Sequence, residues 1–326
     1  MRAIRFSEFG EPAEVLTAEE LPTPSPGPTE ILVRMSARPV NPSDLLTVRG
    51  FYGTLPELPA TPGYEGVGVV EATGSDIRNV RPGQRVVLLG ARGTWQQFLV
   101  VGAGNVIPVP ESISDDNAAQ FLVNPLSAWV MLTEELAVQS GQWLLQTAAG
   151  STLGRIVLQI AKLRGIKTIN IVRRREQALE LRALGADEVV CTGEEDLTQR
   201  VTAITGGAGV PAAIDAVGGD VGSNVALALA PRGVMLIYGM LSLMPMQLNG
   251  GQMVFRRTSV RGFWLTSWIQ SAPPEKQRAC IQAVLTHMAK GEIVPPVEAK
   301  YDLNDVTAAV QHAERPGRHG KVLLVD

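Results

Sequence analysis

The chain contains few of the residues that build disulfide frameworks and metal sites. Its 326 residues include 2 cysteines and 3 histidines, and aromatic residues make up 5% of the composition. Two cysteines, Cys191 and Cys280, argue against a disulfide framework and exclude a zinc site made of four thiolates. The histidines, His287, His312 and His319, all lie in the last 40 residues of the chain. We therefore expect no metal in the protein.

The chain also lacks a large excess of charge of one sign, and it lacks long apolar runs. The formal net charge is −3, so no strong field would attract nucleic acid or an anionic membrane. No apolar run approaches the roughly 20 residues of a membrane-spanning helix, and no N-terminal stretch resembles a signal peptide. Hydrophobic residues make up 45% of the chain, which is enough for two cores at this length. These features predict a soluble, cytoplasmic protein that binds neither nucleic acid nor membrane.

What the chain does contain is a strand, a turn of small residues, a helix and a second strand, starting at residue 143. The strands are expected at 143–147 and 167–172, with the turn at 147–154 and the helix at 155–163. This order is typical of a βαβ unit that places a pyrophosphate at a helix N-terminus. The residues predicted to line the pyrophosphate are Gly150, Ser151, Thr152 and Leu153.

Three arginines follow the second strand of this unit. NAD enzymes commonly have Asp or Glu there, which binds the ribose 2′-hydroxyl. Here Val172 is followed by Arg173, Arg174 and Arg175, whose charge suits a 2′-phosphate. Arg173 and Arg175 are predicted to bind that phosphate, with Arg174 pointing away in an extended segment. The predicted cofactor is NADPH, and a solvated surface cluster is the alternative interpretation of the arginines.

The pattern along the chain predicts two domains of different type. Residues 1–122 alternate β-forming runs with proline and glycine, whereas strands and helices alternate from residue 142 to residue 262. Such alternation predicts an α/β fold with a doubly wound parallel sheet. The last strand, 321–325, is expected to return to the first domain. The expected domains are 1–122 with 266–326, and 123–265. The six strands expected in the second domain are 143–147, 167–172, 187–190, 212–217, 233–238 and 259–263.

Several segments together resemble a known superfamily. The runs Asn41-Pro42-Ser43-Asp44 and Pro62-Gly63-Tyr64-Glu65-Gly66, followed by the nucleotide unit, are similar in order to the medium-chain dehydrogenase/reductases over nearly the whole chain. Zinc-using members carry His where this chain has Tyr64, and they have a cysteine-rich lobe that is absent here. The resemblance therefore points to the zinc-free branch. It implies a Rossmann domain, a mostly β GroES-like catalytic domain, and a homodimer.

Finer matches resemble the mitochondrial type of 2-enoyl thioester reductase. The similar segments are 50–59, 124–128, 168–175 and 261–268, of which the last, Arg-Gly-Phe-Trp-Leu-Thr-Ser-Trp, is the most specific. The resemblance implies NADPH-dependent reduction of the conjugated C=C of enoyl-CoA, or of enoyl thioesters on acyl carrier protein. The chain departs from that pattern at Gly150 and Thr152, and again in the run 238–241.

The same resemblance implies roles for individual residues. Tyr52 is expected to be catalytic, because a phenol can donate to the developing enolate oxygen or to Cα without bringing a charge into an apolar site. The further residues expected to contact the cofactor are Asn124, Tyr238, Gly239, Met240, Leu241, Phe263, Trp264, Leu265 and Lys321.

Plainer alternatives exist for several of these residues. Tyr52 could pack against the loop at 41–44, and Asp44 is expected to cap a helix that begins after Pro42. Phe263, Trp264 and Trp268 could be core or dimer-interface aromatics. Basic residues for the phosphates of CoA are available at three positions, although the sequence does not place them. These are Arg49, Arg256 and Arg257.

Two other functions fit the same pattern. An NADPH:quinone oxidoreductase, or a general enone or alkenal reductase, would use the same hydride chemistry on a different conjugated acceptor. A non-catalytic NADPH-binding protein would keep the phosphate turn and would turn over no acceptor.

Overall fold

The computed structural model describes all of residues 1–326, and the chain divides into two compact units. One unit comprises Met1–Pro125 and Gln282–Asp326, and the other comprises Leu126–Ile281. The strands are β1 (Arg2–Arg5), β2 (Thr17–Glu20), β3 (Glu30–Pro39), β4 (Val67–Thr73), β5 (Arg85–Leu88), β6 (Phe98–Gly102), β7 (Val106–Pro108), β8 (Trp143–Gln146), β9 (Lys167–Val172), β10 (Glu188–Cys191), β11 (Val210–Asp215), β12 (Leu229–Ile237), β13 (Ser259–Gly262), β14 (Val297–Asp302) and β15 (Lys321–Val325).

Twelve α-helices and four shorter helical segments connect these strands. The α-helices are α1 (Pro12–Val15), α2 (Pro42–Val48), α3 (Asp115–Ala118), α4 (Ser127–Val130), α5 (Thr152–Arg164), α6 (Arg175–Ala183), α7 (Leu197–Ile204), α8 (Gly219–Leu227), α9 (Gly250–Phe255), α10 (Leu265–Ser271), α11 (Pro274–Ala289) and α12 (Val306–Glu314). Two 3₁₀ turns, Ala103–Asn105 and Leu303–Asp305, and two π-helical segments, Leu122–Leu126 and Met131–Glu135, complete the set. None of the helices combines the length and the apolar character needed to cross a bilayer.

The second unit is built on a six-stranded parallel sheet in the order β10-β9-β8-β11-β12-β13. Its central strands are almost continuously buried, as expected where helices cover both faces of a sheet. The strand order corresponds to the doubly wound pattern 3-2-1-4-5-6. All six expected strands are present, and the α/β prediction with its Rossmann sheet is confirmed.

The first unit is mostly β, also as expected. A seven-stranded sheet has the order β14-β15-β3-β4-β5-β7, with β6 also pairing with β3. Strand β15 pairs with β3 antiparallel, so the last strand does return to the N-terminal domain. Its residues Val322 and Leu324 are buried in one core with Ile4 and Phe6.

The compact units differ from the expected domains at residues 123–125, which fall in the first unit, and at residues 266–281, which fall in the second. One ion pair joins this second segment to the rest of the second unit, and the segment is held together by burial and by its own hydrogen bonds. Trp268 of α10 is buried. Gln277 Nε2 donates to the carbonyl oxygens of Ile269 and Ala272, at 2.7 and 2.8 Å. Lys276 Nζ lies 2.8 Å from a carboxylate oxygen of Glu134. The sequence pattern could not reveal the last contact, since it joins residues far apart in the chain.

Candidate active site

The turn that is predicted to line the pyrophosphate lies between β8 and α5 and is closely packed. Ser151 caps α5, since its Oγ accepts a hydrogen bond of 3.1 Å from the Gly154 N–H. A Cβ added at Gly154 would lie 2.4 Å from the carbonyl oxygen of Ala149, so a larger residue would push the turn away from the helix. The N-terminus of α5 has the dipole and the first-turn N–H groups that favour an anion.

Buried polar side chains on β8 and β9 form a hydrogen-bond network that supports this turn. Gln146 Nε2 donates to the Gly154 carbonyl at 3.1 Å and to Asn170 Oδ1 at 2.7 Å. Asn170 in turn donates to Thr168 Oγ1 at 3.0 Å, and all three side chains are buried. Hydrogen bonds of this kind fix the registry of the turn against β8 and β9, because breaking one would leave a buried polar group unpaired.

A second buried group lies at the carboxyl ends of β8 and β11, where the strand order reverses. Asp215 accepts from Thr147 Oγ1 at 2.5 Å, from the Val217 N–H at 3.0 Å and from the Gly218 N–H at 2.8 Å. Thr147 Oγ1 also accepts from the Ala216 N–H at 2.9 Å. Ligands of doubly wound sheets bind at this switch point. Asp215 therefore shapes the loop beside the expected nucleotide site.

The three arginines lie at the carboxyl end of β9, and all three are exposed. Arg174 has an extended backbone, but Arg175 is the first residue of α6. The expectation that strand alternation fixes the side of Arg175 is therefore wrong, because the helix changes the direction in which that side chain leaves the backbone. No intramolecular hydrogen bond or ion pair neutralises any of the three guanidinium groups.

The segment expected beside the nicotinamide continues β12 past its last residue. The Tyr238 N–H donates to the Asp215 carbonyl and the Leu241 N–H to the Ala216 carbonyl, both at 2.9 Å. Gly239 is required there, since a Cβ would lie 2.9 Å from the Ala216 carbonyl oxygen. The Tyr238 hydroxyl is buried without a hydrogen-bond partner, and burial together with the charge of Asp215 raises the pKa of that phenol. Met240 and Leu241 are exposed.

The Phe263–Leu265 segment follows the edge strand β13. The Phe263 N–H donates to the Ile237 carbonyl at 2.8 Å, which places it next to the end of β12. Phe263 and Leu265 are half-buried, Trp264 is exposed and Trp268 is buried. Trp268 is thus a core residue, one of the two alternatives considered for these aromatics.

In the first unit, a carboxylate ties three segments of chain together. Glu65 is fully buried and accepts from Asn41 Nδ2 at 2.8 Å, and from the N–H groups of Leu122 and Val123 at 3.0 and 2.8 Å. Burial raises the pKa of Glu65 to about 7, an effect that the N–H donors and Lys321 partly oppose. Glu65 therefore holds the start of the π-helical segment 122–126 against the loop that precedes α2.

Asp44 and Lys321 belong to the same buried group. The Asn41 N–H donates to Asp44 Oδ2 at 2.7 Å, which confirms the expected capping role of Asp44. Burial raises the pKa of Asp44 to about 8 and lowers the pKa of Lys321 to about 8. The structure thus places Lys321 near the Asp44 and Glu65 carboxylates, and sequence reasoning missed both partners. Asn124 comes directly after Val123, whose N–H donates to Glu65, and its own Nδ2 is buried without a hydrogen-bond partner.

Tyr52 lies on the loop between α2 and β4, among exposed neighbours. Its ring pairs with that of Tyr64, with centroids 5.6 Å apart and planes at 54°. The Tyr64 hydroxyl is 2.6 Å from Thr47 Oγ1 of α2. Tyr64 and Thr47 were not among the expected site residues, and only the position of Tyr64 in the Gly-Tyr-Glu-Gly motif could have drawn attention to it.

Of the three candidate CoA-binding arginines, Arg49 is already neutralised. Its guanidinium lies 2.7 Å from Glu11 and 2.8 Å from Glu314. Arg256 is half-buried and Arg257 is exposed. No group of three or more His, Cys, Asp and Glu side chains is arranged to hold a metal ion.

Comparison with known proteins places this architecture in a family. Family models described as alcohol dehydrogenase GroES-like domain and zinc-binding dehydrogenase match residues 27–111 and 152–284. Mitochondrial enoyl-[acyl-carrier-protein] reductase of Bos taurus is 33% identical over 330 residues, covering 99% of this chain and 88% of that protein. The chain belongs to the medium-chain dehydrogenase/reductase superfamily. It is an oxidoreductase of that superfamily, and the resemblance to the mitochondrial enoyl thioester reductases is confirmed.

Solved structures of two members of this superfamily have the same fold over the whole chain. Escherichia coli quinone oxidoreductase complexed with NADPH is 29% identical with a TM-score of 0.92, and 100% of each chain is covered. The Etr1p complex with NADP and crotonyl-CoA is 25% identical with a TM-score of 0.88, covering 100% of this chain and 99% of that one. One of these relatives is thus named for a quinone, and the other was solved with crotonyl-CoA.

Proposed function

We propose that the protein reduces the conjugated C=C bond of 2-enoyl thioesters with NADPH. The observation that carries the proposal is the match to the enoyl-[acyl-carrier-protein] reductases across 99% of the chain, combined with a tyrosine at position 52. The proposed acceptors are enoyl-CoA and enoyl thioesters on acyl carrier protein. The chemistry is proposed to need no metal.

The residues of the second unit fit a dinucleotide phosphate. The turn at Gly150–Leu153 brings backbone close to the N-terminus of α5, since Gly154 has no side chain to keep it away. Arg173 and Arg175 leave two unneutralised guanidinium groups at the end of β9, where a 2′-phosphate would accept charge-assisted hydrogen bonds. The walls around the nicotinamide are proposed to come from Tyr238, Gly239, Met240, Leu241, Phe263, Trp264 and Leu265.

Two residues of the first unit are also proposed to bind the cofactor. Asn124 offers a buried amide N–H₂ that has no partner within the chain. Lys321 is buried near the carboxyl groups of Glu65 and Asp44, and it is proposed to approach the cofactor from the last strand. An unpaired buried donor costs about 1–3 kcal/mol, which a hydrogen bond to the cofactor would recover.

Tyr52 is the proposed catalytic residue. Bound NADPH supplies the hydride that adds to Cβ of the acceptor. The thioester oxygen gains negative charge as the enolate forms, and the Tyr52 O–H can donate to that oxygen or deliver a proton to Cα. A neutral phenol donates to that oxygen without bringing a charge into the site, and a Tyr52 that delivers its proton becomes a phenolate, which solvent must reprotonate before the next turnover.

The direct test of this mechanism follows the hydride into the product. With NADPH deuterated at C4 and trans-2-hexenoyl-CoA, mass spectrometry should find one deuterium at Cβ of hexanoyl-CoA and a solvent hydrogen at Cα. Tyr52→Phe should lower kcat roughly 10²–10⁴-fold, the range for losing an acid or an oxyanion donor, while the Kd for NADPH stays unchanged. Unchanged turnover by Tyr52→Phe would remove the catalytic assignment.

A quinone or general enone reductase is the second candidate. The specific observation in its favour is the full-length match to Escherichia coli quinone oxidoreductase, whose identity and TM-score exceed those of the Etr1p complex. In addition, Arg49 of the first unit forms ion pairs with Glu11 and Glu314. Its charge is therefore not available to the phosphates of CoA.

We also propose that the protein forms a homodimer through the second unit. Strand β13 is the edge of the parallel sheet, and an edge strand offers unpaired backbone groups to another copy. Leu243, Met244, Val254 and Phe255 of this unit are each at least 65% exposed, which is unusual for large apolar side chains of a monomer. Light scattering should give twice the chain mass of 34.8 kDa, and a monomer at micromolar concentration would contradict the proposal.

A further inference from the structure

The ring of Tyr64 contacts the ring of the proposed catalytic tyrosine. The half-buried Tyr64 ring lies 5.6 Å from the Tyr52 ring, centroid to centroid, at 54°, within the range of favourable aromatic pairs. Tyr52 itself lies on an irregular loop whose neighbours Phe51 and Gly53 are exposed. The Tyr64 ring therefore provides a fixed surface for a side chain that lies on an irregular loop.

The orientation of Tyr64 is set by a chain of hydrogen bonds that starts on α2. Thr47 Oγ1 lies 2.8 Å from the Ser43 carbonyl oxygen and 2.6 Å from the Tyr64 hydroxyl. A carbonyl only accepts, so the single Thr47 proton is donated to Ser43, and the Tyr64 O–H must donate to Thr47. The bond from Thr47 to Ser43 thus determines which hydroxyl donates in the bond between Tyr64 and Thr47.

The charge state of Tyr64 agrees with this direction. Burial, together with the nearby Asp44 carboxyl, raises the pKa of the Tyr64 phenol above its ordinary value. The phenol therefore keeps its proton at neutral pH and remains a donor to Thr47. Because α2 is anchored by the Asp44 cap at Asn41, the chain connects Tyr64 to a rigid part of the first unit.

We propose that Tyr64, held by Thr47, is a positioning residue that fixes the ring of Tyr52 for proton donation. This inference rests on the proposed function of Tyr52. The ring of Tyr64 makes the contact with Tyr52, and the hydroxyl of Tyr64 only holds that ring in place. Removing the ring should therefore cost more activity than removing the hydroxyl.

The test compares Tyr64→Leu, Tyr64→Phe and Thr47→Val, with NADPH and trans-2-hexenoyl-CoA as substrates. Tyr64→Leu should lower kcat roughly 10–100-fold, the size of effect expected when a catalytic group is misplaced by about 1 Å. The KM for NADPH should not change. Tyr64→Phe should recover most of the loss, because it keeps the ring, and Thr47→Val should resemble it.

A double-mutant cycle separates positioning from general damage. In a Tyr52→Phe background, Tyr64→Leu should cause little further loss, since a residue that acts through Tyr52 has nothing left to position. Tyr301→Leu is the matched control. Tyr301 also belongs to the first unit, its ring lies 5.9 Å from that of His312, and its hydroxyl hydrogen-bonds that histidine at 2.9 Å. It should leave kcat unchanged.

Three results would overturn the inference, and they are distinguishable. Full activity of Tyr52→Phe would overturn both the role of Tyr52 and the positioning role. Reduced activity of Tyr52→Phe with an unaffected Tyr64→Leu would overturn the positioning role alone. Equal losses from Tyr64→Leu in both backgrounds would do the same. If Tyr64→Leu does not fold, Tyr64→Phe and Thr47→Val decide the question. Each should lower kcat slightly in the otherwise wild-type protein and should cause no further loss in the Tyr52→Phe background.

Discussion

At the scale of single residues, the proposed preference for NADPH over NADH rests on two guanidinium groups. Arg173 and Arg175 are exposed at the end of β9, where an NAD enzyme would commonly place a carboxylate. Nothing in the chain neutralises them, so their charge is available to a phosphate. The sequence alone predicted their position, because a βαβ unit fixes where the second strand ends.

The double variant Arg173→Ala/Arg175→Ala should raise the KM for NADPH roughly 10–100-fold and leave the KM for NADH nearly unchanged. The reason is the loss of hydrogen bonds to a charged group, each worth about 1.5–3 kcal/mol. Steady-state kinetics with both cofactors measures the effect. Arg182→Ala, which removes an exposed arginine from the last turn of α6, is the matched control and should behave like the wild type. An equal rise for both cofactors would remove the 2′-phosphate assignment.

At the scale of elements, the sequence predicted the parallel strands well and their polar supports poorly. All six strands of the nucleotide sheet were expected from runs such as Lys167–Val172, since β-forming residues between glycines are a local signal. The bonds from Glu65 to Asn41, Leu122 and Val123 were not expected. They join segments separated by at least 24 residues, and no local periodicity encodes such contacts.

The close approach of turn and helix at Gly154 gives a prediction at this scale. Gly154→Ala should lower the free energy of unfolding by about 1–3 kcal/mol, because the new Cβ would lie 2.4 Å from the Ala149 carbonyl oxygen and force the backbone apart. Affinity for NADPH should fall with it, since the turn moves. Gly250→Ala, where an added Cβ meets nothing within 4 Å, is the control. Urea unfolding and NADPH titration of both variants provide the comparison, and identical behaviour would mean that the turn tolerates displacement.

The buried Glu65 carboxyl predicts a pH dependence of stability. Its pKa is raised from 4.5 to about 7 by burial, so the folded state binds more protons than the unfolded state between these values. Stability then falls as pH rises through that window, by up to about 3 kcal/mol for a shift of this size. Glu65→Gln removes the titrating group and leaves Asp44 and Lys321 in place.

Urea unfolding of wild type and Glu65→Gln at pH 5 and pH 7 tests this prediction. The stability of the wild type relative to the variant should be lower at pH 7 than at pH 5. A relative stability that rises with pH would mean that the three N–H donors outweigh burial and that the pKa of Glu65 is lowered.

At the scale of the whole molecule, the sequence predicted the two-part architecture and the return of the last strand. Strand β15, near the end of the chain, pairs with β3, near its start. The sequence predicted this return because the parallel sheet was already complete without the last strand. Residues 266–281 differ from the expected division, since their packing on the second unit rests on contacts such as Lys276 with Glu134. Fold and superfamily could thus be predicted, but the acceptor could not.

The acceptor is decided most directly by measuring kcat/KM for NADPH oxidation with trans-2-hexenoyl-CoA and with 1,4-benzoquinone in parallel, and with NADH as a control cofactor. The proposed function predicts turnover of the thioester far above that of the quinone, and little turnover with NADH. Turnover of the quinone alone would contradict it and would make the protein a quinone reductase. Tight NADPH binding without turnover of either acceptor would favour a non-catalytic member of the superfamily.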